Sequence, residues 1–153
     1  MADTVDQETR SRIMASVGQR NTGPEVRLRR VLHRLGMRYR LHDKRLPGSP
    51  DLVFPKFRAV VFVHGCFWHS HGCKYSTVPL TRRDFWSEKF HANRERDARK
   101  IKQLHETGWR VLVVWECSLR GKQSSFPERR VAELVVIWIN GDQSFDEITA
   151  LDC

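Results

Sequence analysis

The apolar run from Trp109 to Trp115, strongest over Val111 to Trp115, restricts the fold more than any other part of this sequence. A run without polar alternation reads as a strand buried on both faces, inside a sheet covered by helices. Before it lies a long helical pattern, capped by Thr81, running to about Thr107 and closed by Gly108. Trp86, Phe90, Asp97, Ile101 and Leu104 share one face of that helix. Earlier still come two short apolar strands, Asp51 to Phe54 and Ala59 to His64, joined by the turn Pro55-Lys56-Phe57. That turn makes the pair an antiparallel hairpin and sets Asp51 roughly opposite Val63. Strand, long helix and strand make a crossover, whose two strands run parallel. The expected fold is therefore α/β, with a mixed central sheet flanked by helices.

The remaining elements are shorter. Residues 4 to 18 read as a weakly amphipathic helix with Ile13, Met14 and Val17 on one side, suited to an arm of about residues 1 to 20 that touches a partner. Thr22-Gly23-Pro24-Glu25 is a capping box that opens a helix with Leu28, Val31, Leu32 and Leu35 as its buried stripe and Gly36 as its end. Glu25, three residues before Leu28, extends that stripe and faces inward, although a first-turn glutamate also complements the helix dipole. Met37 to His42 is a candidate edge strand, Leu46-Pro47-Gly48-Ser49-Pro50 a stiff turn, and Val131 to Ile139 a last helix. Within a divergent tail of about 122 to 153, the stretch Gly141 to Cys153 shows little pattern, and the 153 residues read as a single domain.

Composition narrows the function. Lys and Arg number 27 against 18 Asp and Glu, a net charge of +9, which points to a polyanionic partner, nucleic acid first among them. The N-terminus is polar and acidic rather than a secretory leader, and no apolar run has the length of a membrane span. A cytoplasmic protein is expected. In that compartment the 4 cysteines argue for metal binding or plain burial rather than disulfides.

Cys66, His71 and Cys73 are clustered in a loop with little apolar content, and Cys117 lies just past the end of the buried strand. Three thiolates and an imidazole complete a closed tetrahedral Zn²⁺ site, which would be structural and would tie the loop to the strand end. Cys153 is read as a bystander. Asp51, at the start of a strand with carbonyls of the neighbouring strand nearby, can make a hard oxygen site for Mg²⁺. His64 or His69 can serve as base or acid, Asp97 can orient an imidazole, and Glu25 is a second inward acid. Phe67 and Trp68 sit in the same loop, and Trp86 begins the long helix near Arg82 and Arg83. These rings can wedge into a base stack, or, for Trp86 almost equally, fill the core.

These residues also carry a resemblance. The sequence looks like the very-short-patch-repair (Vsr) mismatch endonucleases through Thr9-Arg10-Ser11, Met14, Leu46-Pro47-Gly48-Ser49-Pro50-Asp51 and the block His64-Gly65-Cys66-Phe67-Trp68-His69. It continues through Val78-Pro79, Thr81-Arg82, Phe85-Trp86, Glu88-Lys89, Asn93, Glu95-Arg96-Asp97, Gly108 to Leu112, Val114 to Cys117 and Leu119-Arg120-Gly121. The resemblance implies a restriction-endonuclease-like fold with structural zinc. It implies a Mg²⁺-dependent nick on the 5′ side of the thymine in a T·G mismatch left by deamination of 5-methylcytosine. By that likeness Asp51 is the metal ligand, and His69 with Asp97 forms the base pair of groups. His64 and Glu25 assist, Phe67, Trp68 and Trp86 intercalate, and Met14 enters from the minor-groove side. It further implies a monomer acting on duplex DNA at the nucleoid, with mismatch-repair proteins of the MutL type as possible associates. Val63 stands where a threonine can occur in this family, and a metal contact through its backbone carbonyl would be indifferent to that exchange. Two other readings stay open: a zinc-stabilised DNA-binding protein without catalysis, and a sequence-specific nuclease indifferent to mismatches.

Overall fold

The computed structural model describes residues 23–66, 81–119 and 127–150. In chain order the elements are α1 (Gly23–Arg34), β1 (Arg40–Leu41), β2 (Leu52–Phe54), β3 (Ala59–His64), α2 (Arg83–Glu106), β4 (Arg110–Trp115), α3 (Pro127–Asn140) and β5 (Phe145–Ile148). The strands form one sheet in sequence order. β1 pairs antiparallel with β2 and β2 with β3, whereas β3 pairs parallel with β4 and β4 with β5. The mixed α/β sheet expected from the crossover is thus present, and β4 lies inside it between two parallel neighbours.

Alternation along the strands divides the core into two layers. Leu52, Phe54, Ala59, Val61, Leu112 and Val114 point to one face, where Leu28 and Leu32 of α1 and Val131, Val135 and Ile139 of α3 cover them. Val53, Val60, Phe62, Val111, Val113 and Trp115 point to the other, where Leu104 and Ile101 of α2 pack. Because both faces are covered, β3 and β4 need apolar residues at every position, which is why their sequences do not alternate.

One basic side chain ties the sheet to the end of α3. Arg110, first residue of β4, donates to the carbonyls of Phe57 (3.3 Å), Trp138 (3.2 Å), Ile139 (2.7 Å) and Gly141 (3.3 Å). Its guanidinium also lies 4.8 Å from the centre of the Trp138 ring. The carbonyls at the end of a helix lack intrahelical partners, and a cation suits the negative pole there.

Several boundaries differ from the sequence reading. β1 is only two residues long, and Leu35 lies beyond α1 and is exposed. α2 begins at Arg83 after Arg82 in a left-handed conformation (φ 57), not at a Thr81 cap. α3 starts earlier, at Pro127, and the tail that showed little pattern contributes β5. Asp51 faces Phe62 in register, since Leu52 pairs with Val61, one residue short of the expected Val63. The N-terminal helix with Met14, the Thr22 cap and Cys153 lie outside the described residues.

Candidate active site

The strand directions bring several chain segments to one edge of the sheet. β3 and β4 end there, the antiparallel β2 begins there, and β1 ends there. The turn before β2 is pressed into place by Gly48, whose φ of +79 favours glycine and whose Cβ, if added, would sit 2.7 Å from Lys100 Cδ and 3.2 Å from Phe62 Cε1. Asp51 follows this turn and is 9% exposed. Its Oδ2 accepts the Val63 backbone N–H at 2.7 Å, which fixes the carboxylate against the end of β3. The predicted approach of Asp51 to Val63 therefore occurs, through the amide of that residue.

Glu25 is the second acid at this edge. It sits in the first turn of α1, is 1% exposed, and belongs to the same inward stripe as Leu28 and Leu32. A buried carboxylate must find partners. Arg29, one turn along, donates to Glu25 Oε2 at 3.0 Å, and Tyr39 OH donates to the Arg29 carbonyl at 2.7 Å. Burial raises the Tyr39 phenol above its ordinary pKa, which keeps that donor protonated.

Between the two acids lies a residue that sequence reasoning did not select. His42 follows β1 in a left-handed conformation (φ 48), and its backbone N–H donates to the Asp51 carbonyl at 3.2 Å. Its Nε2 is 3.2 Å from Glu25 Oε2 and its Nδ1 is 3.5 Å from Asp51 Oδ1. One ligand atom from each of Glu25, His42 and Asp51 lies within 4.8 Å of the others. The signal was the pairing register: Arg40 faces Val53 and Leu41 faces Leu52, so the next residue must meet Asp51.

His64, last residue of β3, is buried on the α2 side of the sheet, its ring 5.3 Å from that of Trp115 at 74°. Asp97 occupies a half-buried position in α2, one turn before Ile101, on the face that also carries Trp86, Phe90 and Leu104. Trp86 is 7% exposed and stacks on Phe90 with ring centres 5.9 Å apart, so here it fills the core. The exposed ring of that turn is Phe85, with the Arg82 guanidinium 4.3 Å from its centre. His69, Phe67 and Trp68 lie outside the described residues.

Two of the four predicted zinc ligands meet. His64 pairs with Trp115 in the parallel β3–β4 register, and Cys66 and Cys117 each stand two residues further on. The Cys117 backbone N–H donates to Cys66 Sγ at 3.3 Å, and the Ala150 N–H donates to Cys117 Sγ at 3.5 Å. Both sulfurs are buried and neither cysteine is in a disulfide. Amide donors aimed at paired sulfurs suit thiolates, so this donor pair fits a zinc site. His71 and Cys73 lie outside the described residues. The carboxylate–imidazole cluster likewise fits a divalent cation.

This geometry accompanies a clear relationship. The family model for DNA mismatch endonuclease Vsr matches residues 2–75. The DNA mismatch endonuclease Vsr of Escherichia coli (strain K12) is 45% identical over 148 residues, 97% of this chain and 94% of that protein. The chain belongs to the Vsr family. The chain is also similar to the type II nicking enzyme V.XorIIP of Xanthomonas oryzae pv. oryzae, 53% identical over 119 residues, 78% of this chain and 88% of that protein. V.NmeAIP of Neisseria meningitidis is 43% identical over 122 residues, 80% of this chain and 87% of that protein. As a Vsr-family protein the chain is an endonuclease. The non-catalytic DNA-binding reading is thereby set aside.

Proposed function

We propose that this Vsr-family endonuclease is a Mg²⁺-dependent enzyme that nicks one strand on the 5′ side of the thymine in a T·G mismatch. The supporting observation is the burial of two carboxylates, Glu25 and Asp51, converging with His42 at the edge where β3 and β4 end. Buried like charges are costly to keep together without a cation, and a nuclease site is where such a cost is useful.

Asp51 would hold the cation, with Glu25 beside it and the Val63 carbonyl as a further oxygen. A divalent ion there would neutralise phosphate charge and acidify a water. The Val63 N–H fixes one Asp51 oxygen and so sets the direction of the other. His69 would take a proton from the attacking water with Asp97 as its partner, and His64, held against Trp115, could supply one to the leaving oxygen. Phe67 and Trp68, with Met14 from the N-terminal arm, would wedge the mispaired step, whose unstacking costs less than that of a paired one. Trp86 would join them only by leaving its stack on Phe90. Cys66, His71, Cys73 and Cys117 would hold a structural Zn²⁺. The fold would then be of the restriction-endonuclease-like type, and the enzyme a cytoplasmic monomer on duplex DNA, with MutL-type repair proteins as partners.

The test is cleavage of strand-labelled duplexes that differ only in a T·G pair or its C·G parent. Wild type with Mg²⁺ should nick the mismatch and spare the parent, and Asp51→Ala should bind the mismatch without nicking it. Equal cleavage of both duplexes would leave the sequence-specific nuclease as the reading. Unchanged nicking by the variant would remove Asp51 from the chemistry.

A further inference from the structure

We propose that His42 is a nitrogen ligand of the divalent-cation site, so that the site which uses Mg²⁺ binds first-row transition ions such as Mn²⁺ and Co²⁺ more tightly. The inference rests on the cation reading above and adds to it a residue and a preference.

Among the described residues, buried His42 Nε2 has no hydrogen-bond partner, although Glu25 Oε2 lies 3.2 Å away: the two atoms are close but not aligned for a bond. The other ring nitrogen is 3.5 Å from Asp51 Oδ1, a length beyond ordinary hydrogen bonding. A coordinating imidazole carries one N–H and one lone pair, so Nε2 can present its lone pair to a cation beside the Glu25 and Asp51 oxygens. Converging lone pairs are what a cation accepts. Octahedral bonds of about 2.1 Å set neighbouring ligand atoms about 3 Å apart, close to the separation of Nε2 and Oε2. An imidazole in place of an oxygen ligand favours later first-row ions over Mg²⁺. Glu25 Oε2 also accepts from Arg29 at 3.0 Å, and a carboxylate oxygen has a second lone pair for a cation.

The experiment uses the zinc-loaded full chain with Mn²⁺ as probe. Pulsed electron paramagnetic resonance of bound Mn²⁺ should show coupling to a directly ligated ¹⁴N in wild type. His42→Gln, which keeps a polar side chain, should reduce that coupling. It should also weaken Mn²⁺ by about tenfold while leaving Mg²⁺ affinity nearly unchanged, the scale on which groups that shape a metal site are felt. His42→Ala should behave alike, and circular dichroism will show that both variants fold. Unaltered ¹⁴N coupling and Mn²⁺ affinity in the folded variants would overturn the assignment of His42. In a parallel arm, Asp51→Ala should abolish Mn²⁺ binding. If it does not, the cation reading itself fails, which is a different result from failure at His42 alone.

Discussion

Replacing Asp51 by Asn should make the magnesium-free protein more stable while abolishing its nicking activity. The carboxylates of Asp51 and Glu25 offer ligand atoms within 4.8 Å of each other. At that separation two unit charges repel by about 3.5 kcal/mol in a medium of effective dielectric near 20. Asn removes the charge at position 51 and keeps an oxygen for the Val63 N–H, now held at 2.7 Å. Two terms oppose the gain. Arg29 already offsets Glu25 at 3.0 Å, and the Asp51 contact with His42 at 3.5 Å is altered. Allowing these to cancel about half of the repulsion leaves about 1 to 2 kcal/mol. For a chain of this size that raises the melting temperature by about 2 to 8 °C. The assay is thermal unfolding by circular dichroism in magnesium-free buffer, repeated with saturating Mg²⁺. Mg²⁺ at about 100 times its dissociation constant should add about 2.7 kcal/mol to wild type and less to the variant. A variant less stable than wild type without Mg²⁺ would refute the reasoning, because the carboxylates would then already be compensated by the fold.

Other outcomes follow from features away from the acids. Cys117→Ala should yield protein with less than stoichiometric zinc by atomic absorption and a lowered melting temperature, and a fully zinc-loaded, equally stable product would remove Cys117 from the metal site. Arg110→Met should cost about 2 to 3 kcal/mol by urea unfolding, because the α3 carbonyls lose a charged donor. The Asp43 carboxyl, held by the Arg45 guanidinium and backbone N–H, is lowered from 3.8 to about 2. Its stabilisation of the loop is therefore complete above pH 3.8 and lost as pH falls through about 2. A carbon-13 titration should place its midpoint near 2, and Arg45→Gln should return it toward 3.8.

Apolar continuity made β3 and β4 legible, because a strand covered on both faces shows its burial at every residue. The two-residue β1 offered no such signal, and β5, whose Phe145, Asp146 and Glu147 are exposed, reads as a polar tail until it is paired. Glu25 and Asp51 could be found locally, one from helical spacing and the other from its turn. His42 could not, since its role arises from the register of two strands. Trp86 shows the reverse case, a residue whose type suggests an exposed wedge and whose helix face buries it.

The equal spacing of Cys66 and Cys117 beyond a paired couple has a consequence for assembly. A slip of one residue between β3 and β4 would separate the sulfurs and, in the same movement, turn the His64 ring toward the opposite layer. Misaligned chains would thus lose the amide–sulfur hydrogen bond and the placement of the His64 ring together, so both report the same strand alignment.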